Sequence, residues 1–156
     1  MYKRILVPHD GSAFAERVLP HVTEIARRYE AEVHLLEVIR VSTPALLAPE
    51  LASEAEPDLA IDALEEAQEA LREAGRSRLE GVCALLQKDG ITCRWSVVDG
   101  EPIQEILAYT SKHGIDLVAM ATHGRTGLAR AILGSTTDAI LRKGHLPMLI
   151  VPVRET

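Results

Sequence analysis

Apolar residues along this chain gather in short runs separated by longer stretches of helical periodicity. The runs are Ile5 to Pro8, Val33 to Ile39, Thr92 to Val98, Asp116 to Ala121 and Pro147 to Val153, each of strand length. Runs with little polar alternation, such as Val33 to Ile39, suit a parallel sheet covered on both faces. After the first run the chain turns at His9-Asp10-Gly11-Ser12, and Ser12 suits the N-cap of a helix that puts Ala15, Val18, Leu19, Val22, Ile25, Ala26 and Tyr29 on one face. Pro20 lies inside that pattern and predicts a kink.

Val41 to Asp58, with Pro44, Pro49 and Pro57, predicts a mobile loop with room for a short helical turn. A long helix follows, from about Leu59 to Lys88. Leu64, Leu71, Val82, Leu85 and Leu86 recur along it at near-helical spacing, and the Glu, Arg and Gln positions between them read as a solvated face. Asp99-Gly100-Glu101-Pro102 opens another helix through Ile103, Ile106, Leu107 and Tyr109, which His113-Gly114 closes. A last helix starts at Ser135 and ends near Gly144, with Asp138 placed three residues on for a near capping box.

Strands alternating with helices give an α/β fold, an open five-stranded parallel sheet with helices on both faces, in a single domain spanning residues 1–156. Right-handed crossovers put the C-terminal ends of all strands along one edge. Pro8 to Asp10, Val38 to Arg40, Asp99 to Glu101 and Ala121 to Gly124 therefore share that edge, where a ligand crevice forms at the reversal of winding. The strand order stays open at this stage.

Composition narrows the function. A net charge of −6 argues against nucleic-acid and anionic-membrane partners, because both require clustered cations. No stretch reaches the apolar length of a membrane span, and the N-terminal run turns polar at His9-Asp10, so a cytoplasmic location is the default expectation. Charge is unevenly spread: acidic residues crowd Glu50 to Glu73, whereas Arg125, Arg130, Arg142 and Lys143 gather near a glycine-bearing stretch. Cys83 and Cys93 lack metal or framework spacing and read as small buried hydrophobes. Trp95 reads as a core or interface residue, and the histidines show no metal-ligand spacing.

That glycine-bearing stretch, Ala121-Thr122-His123-Gly124-Arg125 through Gly134-Ser135-Thr136, joins the fourth strand to the last helix. A strand entering a loop and then a helix N-terminus presents free backbone N–H groups and the positive end of a helix dipole, an anion site with phosphate as the obvious ligand. Neither GxxxxGK[ST] nor a GxGxxG after the first strand is present. What remains is a small residue, two residues, Gly124, nine residues, then Gly134-Ser135.

At these residues the chain resembles the universal stress protein family, whose ATP-binding members carry G-x2-G-x9-G-[S/T] in this place. The resemblance extends over Ile5 to Ser12, Leu35 to Val38, Gly100-Glu101-Pro102, His123 to Gly127 and Pro147 to Pro152. Its first motif glycine is Ala121 here, a change of little consequence where φ is negative and on the order of 1 kcal/mol of strain where φ is positive. The resemblance implies a fold of the adenine nucleotide alpha hydrolase-like, Rossmann-like kind, with ATP as ligand, alone or with Mg2+. It implies that Asp10 hydrogen-bonds the ribose and that backbone around Pro8, His9 and Val38 flanks the adenine. It also implies that Met120, Ala121, Thr122, His123, Gly124 and Arg125, with Gly134, Ser135 and Thr136, wrap the phosphates. A homodimer through the last strand, Met148 to Val153, is implied as well.

The residues alone leave other readings standing. Asp10 is equally suited to organising the turn before Ser12, and Ser135 to plain capping. No nucleophile pattern accompanies His123, which reads as a backbone-and-shape element rather than a catalytic base. No residue stands out as a base to position a water, and Asp10 is the one candidate magnesium carboxylate, so the nucleotide is expected as a regulatory ligand with at most slow hydrolysis. A nucleotide-free interaction module and a weak ATPase are the rival functions.

Overall fold

The computed structural model describes residues 1–40, 57–123 and 134–153. Ten elements follow in the order β1 (Arg4–His9), α1 (Ala13–Glu16), α2 (Leu19–Tyr29), β2 (Glu32–Ile39), α3 (Pro57–Lys88), β3 (Cys93–Asp99), α4 (Pro102–His113), β4 (Leu117–His123), α5 (Ser135–Lys143) and β5 (Met148–Val153). The five strands form one parallel sheet in the order β3-β2-β1-β4-β5. The loop expected within Val41 to Asp58 falls outside the described residues up to position 56.

Successive side chains of a strand point to opposite faces, and both faces of this sheet are covered. On one face Ile5, Val7, Val33, Leu35, Leu117 and Ala119 pack against Val18, Val22 and Ala26 and against Leu79, Val82, Cys83 and Leu86 of α3. On the other, Leu6, Leu36, Val118 and Met120 meet Ile106 and Tyr109 of α4 and Ile140 of α5. This double burial is why the strands lack polar alternation. Trp95 is half-buried against the α3 layer, and both cysteines are buried there.

Two helical expectations need correction. Pro20 breaks the first helix rather than kinking it: α1 ends at Glu16 and α2 begins at Leu19, with Pro20 in its first turn. A proline ring clashes with the carbonyl four residues earlier, so restarting the helix around it removes the conflict. Fully buried Val18 is the pivot between the two pieces. In α3 the inward stripe is Gly75, Leu79, Val82, Cys83 and Leu86, whereas Leu71 and Leu85 point outward at 54% and 62% exposure. The polar side of α3 is also not uniformly solvated. Arg72 grips Asp99 at the end of β3 through Nε and Nη2, at 3.0 and 2.8 Å, and Arg78 reaches a buried carboxylate.

Candidate functional site

The strand order fixes where the winding reverses. The chain proceeds outward from β1 to β2 to β3, then returns to the far side of β1 with β4 and β5. In open sheets the crevice lies at this switch point, outside the C-terminal ends of β1 and β4. Here the two strands separate early. Their ladder registers Ile5 with Leu117 and Leu6 with Val118 and then stops, although β1 continues to His9 and β4 to His123. Pro8 sits just past that point. Proline removes a ladder donor and is unusual in a central strand, and in β1 it falls where pairing toward β4 has ended.

Beyond β1, Asp10 is exposed and closes a tight turn. Its Oδ1 accepts the backbone N–H of Ser12 at 3.0 Å and the Ser12 hydroxyl as well. Burial acts to raise the carboxyl, but these hydrogen bonds outweigh it and hold Asp10 below the usual carboxylate range. Both bonds fall on Oδ1, so turn organisation and a ligand role for Oδ2 are compatible. Ser12 in turn caps α1, its Oγ accepting the Ala15 N–H at 3.4 Å. Gly11 makes the turn possible with φ of +80°, and its Cα lies under the Arg78 guanidinium, where a Cβ would sit 3.1 Å from Nη1.

His9 is 3% exposed, on the α3 side of the sheet in register with Glu37. Its Nδ1 accepts the Gly11 N–H at 3.0 Å, while its buried Nε2 finds no partner among the described residues. Burial pushes its pKa below the ordinary 6.5, against the opposing pull of Glu37 and Asp10.

Glu37 and Arg78 went unforeseen in the sequence. The Glu37 carboxylate is buried, accepts two 2.6 Å hydrogen bonds from Arg78 Nη1 and packs against the Cα of Gly75. The signal was there in outline, as one acidic residue inside an apolar strand.

On the β4 side, Ala121 and Thr122 are half-buried in register with Val151 and Pro152. Among described non-glycine residues positive φ occurs at Glu30 and His145, so Ala121 carries no left-handed strain. The Met120 side chain is packed into the α4 and α5 core, leaving its backbone for any ligand. His123 ends β4, and Gly124 and Arg125 lie outside the described residues.

Helix α5 leads back toward the start of β5, so its N-terminus belongs to the same edge as the strand C-termini. The N-cap is Gly134, not Ser135, and no side-chain cap bond is made. Asp138 does not complete a capping box either; its carboxylate binds Arg142 Nε at 2.9 and 3.0 Å. Ser135 is exposed and Thr136 half-buried in the uncapped first turn. On the β2 side, Val38 is half-buried, one residue past Glu37.

A second polar cluster lies at the opposite edge, where the strands begin. His34 is buried, its Nδ1 3.1 Å from the Tyr109 hydroxyl and its Nε2 3.4 Å from Glu32 Oε2. The His113 ring stacks on Tyr109 with centroids 4.0 Å apart. Among the described residues no group of three or more His, Cys, Asp or Glu is arranged to hold a metal, and no helix is long and apolar enough to cross a membrane.

The strand order and the parallel pairing define an open, doubly wound α/β protein whose winding reverses between β1 and β4. The chain belongs to the universal stress protein family, which it matches over residues 1–152. It is 32% identical to universal stress protein MJ0531 of Methanocaldococcus jannaschii over 151 residues, 97% of this chain and 82% of the relative. Universal stress protein MJ0577 of the same organism is 32% identical over 154 residues, 97% of this chain and 95% of the relative. The solved structure of MJ0577 superposes with a TM-score of 0.76 at 30% identity, covering 100% and 99% of the two chains. A universal stress protein family protein from Arabidopsis thaliana, solved with AMP bound, shares the fold at a TM-score of 0.64 and 17% identity, over 99% and 93%.

Proposed function

We propose that the crevice binds an adenine nucleotide of the ATP type, which acts as a regulatory ligand. The observation that carries this reading is Gly134. Its φ of −52° suits any residue, and a Cβ built on it meets nothing within 4 Å among the described residues, so nothing described of the fold calls for glycine there. Close approach of a phosphate to the backbone supplies the need. The uncapped N–H groups of the α5 first turn, with the Ser135 and Thr136 hydroxyls, are the donors that such a phosphate requires. Asp10 Oδ2 accepts from the ribose, and main chain at Pro8, His9 and Val38 borders the base. Main chain from Met120 to His123 completes the wall, and Gly124 and Arg125 are assigned to the phosphates from the sequence pattern. Magnesium comes with the phosphates, whose oxygens are its natural ligands. The AMP-bound relative supports the nucleotide class through the shared fold.

Two measurements test this. Purified protein is denatured and the supernatant analysed for released nucleotide, and nucleotide-free protein is titrated with ATP, ADP and AMP in a calorimeter. Gly134→Leu should melt as the parent does and lose nucleotide binding, as open space at this position predicts. Absence of both released nucleotide and binding heat, or unchanged affinity in Gly134→Leu, defeats the reading.

We also propose a homodimer through β5. Among the described residues this strand pairs with β4 alone and forms one margin of the sheet, with Met148 to Val151 half-buried. An unpaired ladder edge next to half-buried apolar residues favours a second copy.

A further inference from the structure

We propose that His9 is a positioning residue for the nucleotide crevice, its neutral Nδ1 holding the Asp10-Gly11-Ser12 turn in binding geometry, so that protonation of the ring releases the turn and weakens binding. This rests on the nucleotide reading above and adds to it a residue and a regulatory variable. Three observations carry it.

First, the bond runs inside the turn. The Gly11 N–H points at Nδ1 from 3.0 Å, which requires a lone pair on that nitrogen and puts the ring proton on Nε2. Gly11 stands between Asp10 and Ser12, the two residues joined by the carboxylate bonds, so its amide helps set where Asp10 Oδ2 faces. Second, among the described residues the ring has no second anchor. Nε2 is buried with no hydrogen-bond partner among these residues, so the Gly11 bond is the one there that orients the ring within its packing. Third, the ring is 3% exposed, so little water reaches it to replace that bond once it is lost.

An imidazolium is a donor at both nitrogens. Its new Nδ1 proton meets the Gly11 N–H head on, and an accepting contact becomes a repulsive one. The charged groups around the ring among the described residues are Asp10 in the turn, Glu16 of α1, Glu37 of β2 and Arg78 of α3. The three carboxylates favour the imidazolium, while Arg78 and burial oppose it. Burial prevails and lowers the pKa below 6.5, so the ring is neutral at pH 7 and the transition falls on the acid side.

His9→Asn separates positioning from titration. An asparagine Oδ1 occupies the place of Nδ1 and accepts the N–H two residues on, but it does not ionise. His9→Ala removes the acceptor. Nucleotide affinity is measured by calorimetry from pH ~8 to pH ~5 for the three proteins, with the titration of the nucleotide phosphate common to all. The Gly11 amide is followed by 1H-15N NMR without nucleotide. The parent should lose affinity on acidification beyond His9→Asn, the excess loss growing as the pH falls below the ordinary histidine range. His9→Asn should keep the parental affinity at pH ~8, where His9→Ala falls short. The Gly11 amide should shift with a single ionisation in the parent and stay fixed in His9→Asn.

Identical pH profiles for parent and His9→Asn, equal affinities for His9→Asn and His9→Ala at the alkaline end, or a Gly11 amide that does not move, each overturn the proposal. Should no protein bind an adenine nucleotide at any pH, the nucleotide reading falls by itself, and the Gly11 amide still decides whether the ring holds the turn.

Discussion

Glu37 carries a carboxylate at a depth where charge is costly without a partner. Arg78 supplies one from α3, and Gly75 gives the carboxylate room to lie flat against the helix. Removing one member of such a pair is far worse than removing both, because a lone buried charge remains. Arg78→Ala should therefore cost about 2–3 kcal/mol in urea unfolding, below the full value for a buried pair because the Arg78 side chain keeps 31% of its surface in water. Adding Glu37→Gln should recover part of that loss. A single variant within about 0.5 kcal/mol of the parent counts against this account. At this scale the sequence is least legible. Asp10, Gly134 and Ser135 are visible as candidates because their residue types fit phosphate and ribose chemistry. That Gly134 takes the N-cap, that Asp138 turns to Arg142 and that Ala121 is unstrained all depend on backbone angles, which residue type alone does not determine.

Elements are where sequence and structure agree best. All five strands were foreseen to within a few residues, because burial on both faces leaves apolar runs that few other arrangements need. Helix α4 is bracketed by Pro102 at its start and Gly114 in the left-handed conformation after its end, both readable signals. Helix α2 ends differently. Its C-cap is Glu30 at φ 52°, ψ 45°, a left-handed position filled by a residue with a Cβ and an exposed side chain. Nothing in the residue types marks that stop, since glycine is the usual occupant. Glu30→Gly should relieve the strain and raise stability by up to about 1 kcal/mol, offset in part by the extra freedom of glycine in the unfolded chain. A lower thermal midpoint for this variant would show that the Glu30 conformation is not strained. The stripe of α3 is hidden from the sequence for a related reason: Leu71 and Leu85 fit the period but lie outside the arc that meets the sheet.

At the scale of the molecule, the strand order is what periodicity cannot supply. It depends on which strands come together across long sequence separations, and it is this order that makes neighbours of the ends of β1 and β4. The order also decides which strands are marginal. With β5 at one side of the sheet, light scattering at micromolar concentration should give a mass twice that of the chain. Ile150→Lys, a charge at a half-buried position on β5, should return it to the monomer. A monomeric parent removes the dimer proposal without touching the crevice. The clustering of His34, Tyr109 and His113 at the far edge likewise comes from topology, which brings β2 and α4 together.

The short ladder between β1 and β4 has a mechanical meaning. The three strands on one side of it come from residues before Gly100 and the two on the other from residues after it, so the seam through the sheet divides the sequence into two consecutive parts. Among the described residues those parts are registered within the sheet by Ile5 with Leu117 and Leu6 with Val118. Side chains hold the seam on both faces: Leu117 and Ala119 share one core with Ile5 and Val7, and Val118 and Met120 share the other with Leu6 and Leu36. Past that ladder the strand ends diverge while β2 stays paired with β1 and β5 with β4.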